Sequence, residues 1–261
     1  MVEEAINKDN NYIIKVENLY KTYGNITAIN KISFNVNKGE VFGMLGPNGA
    51  GKTTTIEILE TLRDYNSGIA HINGLEVNSN QKEIKSKIGI QLQSNSFFDY
   101  LTLGETINLY SKIYKTHRTP QEMLSKVELN DKSKAYYKEL SGGQKQRFSI
   151  AIALINNPIV IFLDEPTTGL DPQARRNLWD LIKDIKKQGI TIMLTTHYME
   201  EAQELCDRVA IINNGNIVAL DSPNNLIQEL LDNGFTSQRI AQKANLEDVF
   251  INLTGNELTQ R

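Results

Sequence analysis

Three groups of residues with chemically useful side chains each lie at the end of a short apolar run in this chain. They are a glycine-rich segment at residues 46–53, the acidic pair Asp164-Glu165, and His197. Short continuous apolar runs are typical of strands buried on both faces of a parallel sheet. In such sheets ligands bind beyond the carboxyl ends of the strands, so the three groups are predicted to converge on one crevice. A phosphate loop, two acids and a histidine in one crevice indicate a nucleotide-hydrolysis site.

The glycine-rich segment has the residue types of a phosphate-binding loop. Its glycines allow successive backbone amides to point inward and to form an anion cradle at the N-terminus of the following helix. Lys52 would then reach the β- and γ-phosphates, the Thr53 hydroxyl would bind Mg²⁺, and Thr54 would donate to a phosphate. The predicted nucleotide-binding residues of this segment are Gly46, Pro47, Asn48, Gly49, Ala50, Gly51, Lys52, Thr53 and Thr54.

The acidic pair and the histidine are predicted to carry the hydrolysis. Adjacent side chains on a strand point to opposite sides, so Asp164 and Glu165 need separate roles. Asp164 would hold the Mg²⁺ shell, and Glu165 would act as general base or orient the attacking water. His197 would donate to the γ-phosphate or orient the same water. Taken alone, these residues would indicate a solvated turn and a surface histidine; their place beside the phosphate loop favours the catalytic interpretation.

A second glycine-containing segment, Leu-Ser-Gly-Gly-Gln at residues 140–144, precedes a helical pattern. Ser141 and Gln144 form the Ser-x-x-Gln pattern of a capping box, which predicts a helix N-terminus. The capping box does not explain the glycine pair, because each glycine costs about 1 kcal/mol relative to alanine inside a helix. Bare backbone amides at this position would be useful if an anion had to approach closely.

The composition is that of an ordinary folded protein, with 261 residues, 40% hydrophobic and 23% charged. A net charge of −3 gives no electrostatic case for binding nucleic acid. The single cysteine, Cys206, excludes an internal disulfide and is expected to be a buried small apolar residue. The polar N-terminus has no signal-peptide pattern, and no apolar run reaches the ~20 residues of a membrane span. A cytoplasmic location is therefore expected, unless a partner holds the chain at a membrane.

Along the chain, β-like runs between residues 12 and 42 precede the phosphate loop, and a helix is predicted from Thr53 to Leu62. Residues 68–74 look like a strand that ends in an Asn-Gly turn. A helical insertion is predicted from about 95 to 155, with a capping box at Thr102 and helical patterns at 120–130 and 143–155. Strands and helices alternate again from 159 to 220, and a helical pattern follows from Ser222.

Taken in order and spacing, residues 46–53, 140–144, 163–166 and His197 resemble the ATP-binding cassette family. The five residues at 140–144 distinguish this family from other P-loop ATPases. The resemblance implies an α/β fold: a P-loop NTPase (RecA-like) core with a parallel sheet, an N-terminal antiparallel β subdomain and an inserted α-helical subdomain. The predicted domains are a cassette at 12–220, with its helical subdomain at about 95–155, and a short helical C-terminal extension at 221–261.

The resemblance adds residues that periodicity and spacing do not show. Tyr23 is placed where cassette proteins carry an aromatic that stacks on adenine, and Gln93 where they carry a glutamine that contacts Mg²⁺ and water. Gln91 is a rival for the second role by composition. The implied catalytic residues are Glu165, His197 and Gln93, and the implied metal ligands are Thr53, Gln93 and Asp164.

The resemblance also implies a second cassette. Two cassettes of this family pair head to tail, as a homodimer or as a heterodimer with another cassette when ATP is bound, and residues 169–171 match the loop that crosses the dimer interface. The implied nucleotide contacts made across that interface come from Ser141, Gly142, Gly143 and Gln144.

Two later segments, residues 198–209 and 246–255, look like those of daunorubicin-resistance-type exporters. The function implied is an ATP-hydrolysing subunit of an ABC exporter of the drug or antibiotic efflux type. It would work with a separate transmembrane permease subunit at the inner face of the membrane. An importer subunit is the nearer alternative. A soluble cassette protein in translation or DNA maintenance is disfavoured because the chain has one cassette, no heptad run and no basic stripe.

The later of these two segments also has an amphipathic helical pattern. It predicts that Leu246, Val249, Phe250 and Leu253 dock on the core, because they recur at helical spacing.

Overall fold

The computed structural model describes residues 12–91, 97–235, 249, 252 and 253. Its strands are β1 (Tyr12–Tyr23), β2 (Ile26–Asn37), β3 (Val41–Leu45), β4 (Ser67–Ile72), β5 (Leu75–Glu76), β6 (Ile88–Gln91), β7 (Val160–Asp164), β8 (Thr191–Thr196), β9 (Arg208–Asn213) and β10 (Asn216–Asp221). Its α-helices are α1 (Lys52–Leu59), α2 (Gln81–Lys87), α3 (Leu103–Ile113), α4 (Pro120–Lys126), α5 (Gly142–Ala153), α6 (Pro172–Lys187), α7 (Met199–Leu205) and α8 (Pro223–Asp232).

The larger sheet places the three predicted strand ends side by side. Its six strands run in the order β10-β9-β3-β8-β7-β6, and β3, β8 and β7 are parallel neighbours. The phosphate loop follows β3, the acidic pair lies at the end of β7 and His197 follows β8. The predicted convergence on one edge of the sheet is therefore confirmed.

The central strands are apolar throughout because the core covers both faces of the sheet. In β7, Ile161 and Leu163 pack into one hydrophobic cluster, whereas Val160 and Phe162 pack into the other. Alternate side chains of a strand point to opposite faces, so a strand covered on both sides needs apolar residues at every position. This arrangement holds the carboxyl ends of the strands at a fixed place.

The smaller sheet is antiparallel, with strand order β2-β1-β4-β5. The short runs predicted before residue 37 form two strands of twelve residues each. Their pairing register shifts between Val16 and Leu19, next to Asn18 in the left-handed region with φ 49°. Such irregularities interrupt the alternation of apolar and polar residues, which explains why the sequence indicated shorter strands. The predicted Asn73-Gly74 turn joins β4 to β5.

Several predicted helices are confirmed with different ends. Helix α1 ends at Leu59 rather than at Leu62, and Thr61 has a left-handed backbone with φ 61°, which stops the helix. The patterns at 120–130 and 143–155 correspond to the shorter helices α4 and α5. The capping boxes predicted at Thr102 and Ser141 are both present.

At the C-terminal end, α8 follows a side-chain cap from Ser222. Val249 is buried against the core, as predicted, but Leu253 is 42% exposed, so the prediction that Leu253 docks on the core is wrong. Leu246 and Phe250 lie outside the described residues.

Cys206 is buried, and burial raises its pKa well above the usual value, as expected for a packed thiol. Within the part of the chain that the structure describes, no helix is both long enough and apolar enough to cross a membrane.

Candidate active site

The phosphate loop fits closely between two segments of backbone. A Cβ added at Gly51 would lie 2.4 Å from the Ala28 carbonyl oxygen, and one added at Gly46 would lie 2.2 Å from the Ile212 carbonyl oxygen. Gly51 also has a φ of 107°, a conformation that side chains with a Cβ rarely adopt. Glycine is therefore required at both ends of the loop.

Helix α1 begins directly after this loop without a side-chain cap. Its N-cap residue is Gly51, which offers no side-chain acceptor to the first-turn amides. In contrast, α3, α5, α6 and α8 each begin with a side-chain oxygen that accepts from an N-terminal amide. The first-turn amides of a helix need an acceptor and carry a partial positive charge. The α1 N-terminus therefore has the chemistry of an anion-binding site.

Lys52 lies buried beneath the loop, and its ammonium group faces the acids. Lys52 Nζ donates to the carbonyl oxygens of Gly46 at 2.7 Å and Pro47 at 3.1 Å. Burial lowers the pKa of Lys52, whereas the charges of Glu165 and Asp164 act to raise it. A buried cation beside two acids is suited to neutralising a phosphate chain.

Asp164 is held by the neighbouring strand. Thr195 Oγ1 donates to Asp164 Oδ1 and accepts from the Glu165 amide at 3.0 Å. Burial is the main cause that raises the pKa of Asp164, and the Thr195 hydrogen bond acts in the opposite direction. In the sequence Thr195 is only part of the run before His197 and carries no signal of this role. The structure identifies it as the hydroxyl that links the two acids.

Glu165 and His197 are brought together at the strand ends. His197 Nδ1 lies 3.3 Å from Glu165 Oε1, and Thr168 Oγ1 donates to Glu165 Oε2 at 3.2 Å. Glu165 has a left-handed backbone with φ 47°, which is uncommon for a residue with a side chain. Its amide donates to both the carbonyl and the hydroxyl oxygen of Thr195, which holds this conformation in place. The Glu165 carboxylate is therefore oriented both by the contacts that its oxygens make and by the hydrogen bonds of its backbone amide.

A third acid near the strand ends, Glu60, had no place in the sequence interpretation. Glu60 is 1% exposed, and neither of its carboxyl oxygens has a hydrogen-bond partner among the described residues. Burial, followed by the charges of Asp164 and Glu57, raises its pKa to about 8. The sequence signal for it is an acid directly after the buried pair Ile58-Leu59 of α1.

Tyr23, at the end of β1, is partly exposed and carries two cations over its ring. Lys21 Nζ lies 5.1 Å and the Arg63 guanidinium carbon 5.7 Å from the ring centroid. Arg63 is held by an ion pair with Glu57. Cations at this distance are attracted by the electron-rich face of an aromatic ring, so Tyr23 has a defined position.

The second glycine segment lies at the α5 N-terminus, where Ser141 accepts from the Gln144 amide and Gln144 accepts from the Ser141 amide. A groove of about 210 Å³ opens here, lined by Ser141, Gly143, Gln144, Arg147, Asp171, Gln173, Ala174 and Asn177. Its lining includes none of residues 46–54.

The glycine pair has a packing reason that the sequence did not indicate. A Cβ at Gly143 would lie 3.0 Å from the Ala174 Cβ of α6, which is closer than most such contacts. A Cβ at Gly142 would meet Leu170 Cδ2 at an ordinary 3.6 Å. Close packing of α5 on α6 therefore favours glycine at 143 but leaves Gly142 unexplained.

Gln93 lies outside the described residues. Its rival Gln91 is buried at the end of β6, and Gln91 Nε2 donates to Gln146 Oε1 at 3.1 Å. Among the residues that the structure does describe, no three His, Cys, Asp or Glu side chains are grouped closely enough to hold a metal ion by themselves.

A glycine loop at an uncapped helix N-terminus, a buried lysine and two consecutive acids at the end of β7 in the same sheet define a P-loop nucleoside triphosphatase. The family model described as ABC transporter matches residues 29–168, and this chain belongs to that family. It is the ATP-binding subunit of an ABC transporter and an ATPase.

Similar proteins include several with curated names. The linearmycin resistance ATP-binding protein LnrL of Bacillus subtilis is 38% identical over 223 residues, which cover 84% of this chain and 72% of that protein. The Nod factor export ATP-binding protein I of Burkholderia lata is 38% identical over 220 residues, which cover 82% of this chain and 72% of that protein. Human ATP-binding cassette sub-family A member 2 is 40% identical over 252 residues, but these make up only 10% of that protein.

Solved structures share the fold. An ATP-binding subunit of an ABC transporter superposes with a TM-score of 0.79 at 25% identity, covering 92% of this chain and 99% of that one. A dimeric ATP-binding cassette in a post-hydrolysis state bound to ADP and Pi superposes with a TM-score of 0.72 at 29% identity, covering 80% of this chain and 98% of that one.

Proposed function

We propose that this chain hydrolyses ATP to drive export through a separate transmembrane permease subunit. Its similarity to proteins named for linearmycin resistance and Nod factor export supports export rather than import. The contact that supports the hydrolytic role best is the one between His197 and Glu165, beside the buried Lys52. We further propose a cassette at 12–220, with its helical subdomain at about 95–155, and a C-terminal extension at 221–261.

In this proposal the triphosphate lies over the uncapped N-terminus of α1. The amides of residues 49–54 donate to phosphate oxygens, and Lys52 turns its ammonium group from the loop carbonyls to the β- and γ-phosphates. Exchanging neutral carbonyls for phosphate oxygens strengthens its hydrogen bonds, because both partners are then charged. The adenine stacks on Tyr23, whose ring is already placed by Lys21 and Arg63.

The residues present fit Mg²⁺. Thr53 and Asp164 offer hard oxygen donors, and Mg²⁺ in nucleotide sites is typically held by one or two protein ligands together with phosphate oxygens and water. The proposed ligands are Thr53, Asp164 and Gln93. When bound, the ion would neutralise charge on the phosphates during transfer. Thr195 keeps Asp164 Oδ1 in place, so that the carboxylate does not have to reorganise.

Glu165 is proposed as the group that orients the attacking water and accepts its proton. His197 Nδ1 and the Thr168 hydroxyl each lie close to one of its carboxyl oxygens, which limits the directions the carboxylate can take. His197 is proposed to hold Glu165 through one ring nitrogen and to face the γ-phosphate with the other. Positioning of this kind supplies most of the catalytic effect in phosphoryl transfer.

The other half of the site is proposed to come from a second cassette. Ser141, Gly142, Gly143 and Gln144 would reach the phosphates bound by the partner's loop, since the groove beside Ser141 and Gly143 is lined by none of residues 46–54 of the same chain. ATP held between two chains favours the closed dimer by its differential affinity for that state, and hydrolysis removes that preference. The closing and reopening of the dimer would then change the conformation of the permease subunit.

Glu165→Gln tests the catalytic assignment. We expect ATP hydrolysis to fall by about 100-fold or more while ATP binding is kept, since only the proton acceptor is lost. Glu204→Gln, an exposed acid on α7, is the matched control and should hydrolyse normally. Hydrolysis by Glu165→Gln at the rate of the unaltered chain would remove Glu165 from the catalytic role.

The direction of transport is tested in membrane vesicles that contain the chain and its permease subunit. Substrate should accumulate in inside-out vesicles supplied with external ATP, and Glu165→Gln should abolish the accumulation. ATP-dependent loss of preloaded substrate from the same vesicles would indicate an importer instead.

A further inference from the structure

Another buried acid, Glu201, lies close to the proposed active site without belonging to the proposed hydrolysis machinery. It is in the first turn of α7, four positions after His197, and its relative exposure is 0%. Aspartate and glutamate are almost never fully buried unless they are paired or hydrogen-bonded. The residues that surround Glu201 therefore indicate its role in the fold.

The partners of Glu201 come from three different elements. Trp179 Nε1, on α6, donates to Glu201 Oε1 at 3.2 Å. Burial raises the pKa of Glu201, while the nearby Thr196 and Thr167 hydroxyls, the Trp179 indole and the charge of Arg175 act to lower it. Within the part of the chain that the structure describes, Glu201 Oε2 and the Thr167 hydroxyl have no hydrogen-bond partner, so the hydrogen bonding of this cluster is incomplete.

Two of these partners, Thr196 and Thr167, lie close in the sequence to a residue of the proposed active site. Thr196 directly precedes His197, and its hydroxyl accepts from the Tyr198 amide at 2.9 Å, so that it spans the histidine. Thr167 follows Glu165 by two positions. Glu201 is thus adjacent to the segment of His197 and to the segment of Glu165.

The third partner connects the site to the groove beside α5. Trp179 lies on α6, whose N-cap is Asp171 and whose first turn lines that groove together with Ser141 and Gly143. A second chain of contacts runs in parallel, because the Arg175 guanidinium lies 4.7 Å from the Tyr198 ring and the Tyr198 ring lies 4.2 Å from the His197 ring. Helix α6 is therefore joined to the His197 segment at two points.

We propose that Glu201 is a positioning residue for hydrolysis, which ties α6 to the segments that carry Glu165 and His197. It would make the placement of these two side chains depend on the position of α6, and hence on the cassette surface beside α5. The inference rests on the proposed function, since it assumes that Glu165 and His197 act on ATP. Glu201 itself is not expected to touch the nucleotide.

The test is steady-state ATP hydrolysis by the transporter assembled with its permease subunit. Glu201→Leu removes both carboxyl oxygens, and we expect kcat to fall by about tenfold or more with KM for ATP changed by less than about twofold. Glu201→Gln keeps an acceptor for the Trp179 indole and should recover most of the rate. Trp179→Phe removes the donor and should lower kcat by a few-fold, with no further loss when combined with Glu201→Leu.

Ile182→Ala is the matched control, because it truncates a fully buried side chain on the same helix α6. If Glu201→Leu loses activity only as much as this control at an equal drop in melting temperature, or if KM rises while kcat is kept, the proposal is wrong. Should Glu201→Leu fail to fold, the positioning role is tested with the other two variants. It is supported if Trp179→Phe lowers kcat by a few-fold at an unchanged KM while Glu201→Gln keeps most of the rate, and it is wrong if Trp179→Phe leaves kcat unchanged.

Glu165→Gln in the same assay separates the two proposals. Normal hydrolysis by Glu165→Gln would overturn the proposed function, and the positioning role with it. An inactive Glu165→Gln together with Glu201 variants that behave like Ile182→Ala would overturn the positioning role alone.

Discussion

The two glycine-containing helix N-termini of this chain resemble each other in sequence but differ in structure. At α1 no side chain caps the first turn, the glycines press against backbone carbonyls, and Lys52 is 4% exposed. At α5 the side chains of Ser141 and Gln144 cap the first turn, and Ser141 is exposed. The first site is built inside the chain by three adjacent strands. The second is a surface feature beside α6.

This difference indicates separate roles for the two helix N-termini, with α1 proposed to bind the nucleotide and α5 proposed to assist its hydrolysis. The α1 loop lies beside the sheet of its own chain, and its uncapped helix N-terminus and the buried Lys52 come from that one chain. The α5 N-terminus already satisfies some of its amides with its own side chains, so in the proposed dimer only its remaining amides would be left to contact a nucleotide bound by the second cassette. Changes at the first site should therefore affect binding and stability, and changes at the second should affect hydrolysis.

The largest effect is expected for Gly51→Ala. The new Cβ would lie 2.4 Å from the Ala28 carbonyl oxygen at a backbone φ of 107°. We expect the free energy of unfolding to fall by several kcal/mol and ATP binding to be lost, since the loop must move. Urea denaturation and equilibrium ATP binding measure both. Gly49→Ala shares a positive φ but meets nothing within 4 Å, so it should cost only about 1–2 kcal/mol; equal losses would contradict the packing argument.

Gly143→Asp should separate the two sites. A carboxylate at the α5 N-terminus would repel phosphate, so we expect hydrolysis to fall by about 100-fold while ATP binding to the Lys52 loop stays within about twofold. Gly143→Ala is the control for the close contact with Ala174, 3.0 Å from the new Cβ, and should reduce activity much less. Loss of ATP binding in Gly143→Asp would show that the two sites are not independent.

Glu60→Gln should make the free energy of unfolding of the chain less sensitive to pH. The pKa of Glu60 is raised from 4.5 to about 8 in the folded chain. The unfolded state therefore binds fewer protons than the folded state in this range, and the free energy of unfolding should fall as the pH rises from about 4.5 to 8.

At about 1.4 kcal/mol per pKa unit, this decline amounts to a few kcal/mol. Glu60→Gln should remove it, so that the variant gains most over the unaltered chain near pH 8. Chemical denaturation at several pH values measures the difference. Parallel stability curves for the two proteins would show that Glu60 is not responsible.

The smallest effect is expected for Ser141→Ala. Loss of the cap should cost about 1 kcal/mol of stability, as for helix N-caps in general. Thr102→Ala removes the same kind of cap from α3 and should cost a similar amount. If Ser141 serves only as a cap, the hydrolysis rates of both variants will fall only as far as their equal losses of stability explain. If it also contacts nucleotide, Ser141→Ala alone will lower the hydrolysis rate at saturating ATP.

The parts of the fold that could be predicted from the sequence are those with a local signal. The apolar runs of β3, β7 and β8 predicted a parallel sheet, because a strand covered on both faces must be apolar at every position. The two capping boxes were recognised because their partners are three residues apart. Helix ends were less accurate: α1 stops at Leu59, where the left-handed backbone of Thr61 gives no clear sequence signal.

The contacts that orient the site join residues that are distant in the sequence. Thr195 and Asp164 are 31 positions apart, and Trp179 and Glu201 are 22 apart. Glu60 and Glu201 look like ordinary helix acids in the sequence, and only their burial distinguishes them. Leu253 shows the opposite case, since its helical spacing predicted docking and the structure leaves it exposed.

By itself, the sequence determined the residue types of this protein's proposed active site and the order in which they occur, because glycine, lysine and paired acids each suit the chemistry of binding and cleaving phosphates. The tertiary structure alone decided which side chains hold them. Parallel strands place residues far apart in the chain at one sheet edge, and burial there changes the charge and hydrogen bonding of the acids. These effects depend on distance in space, which the spacing of residues along the chain does not contain.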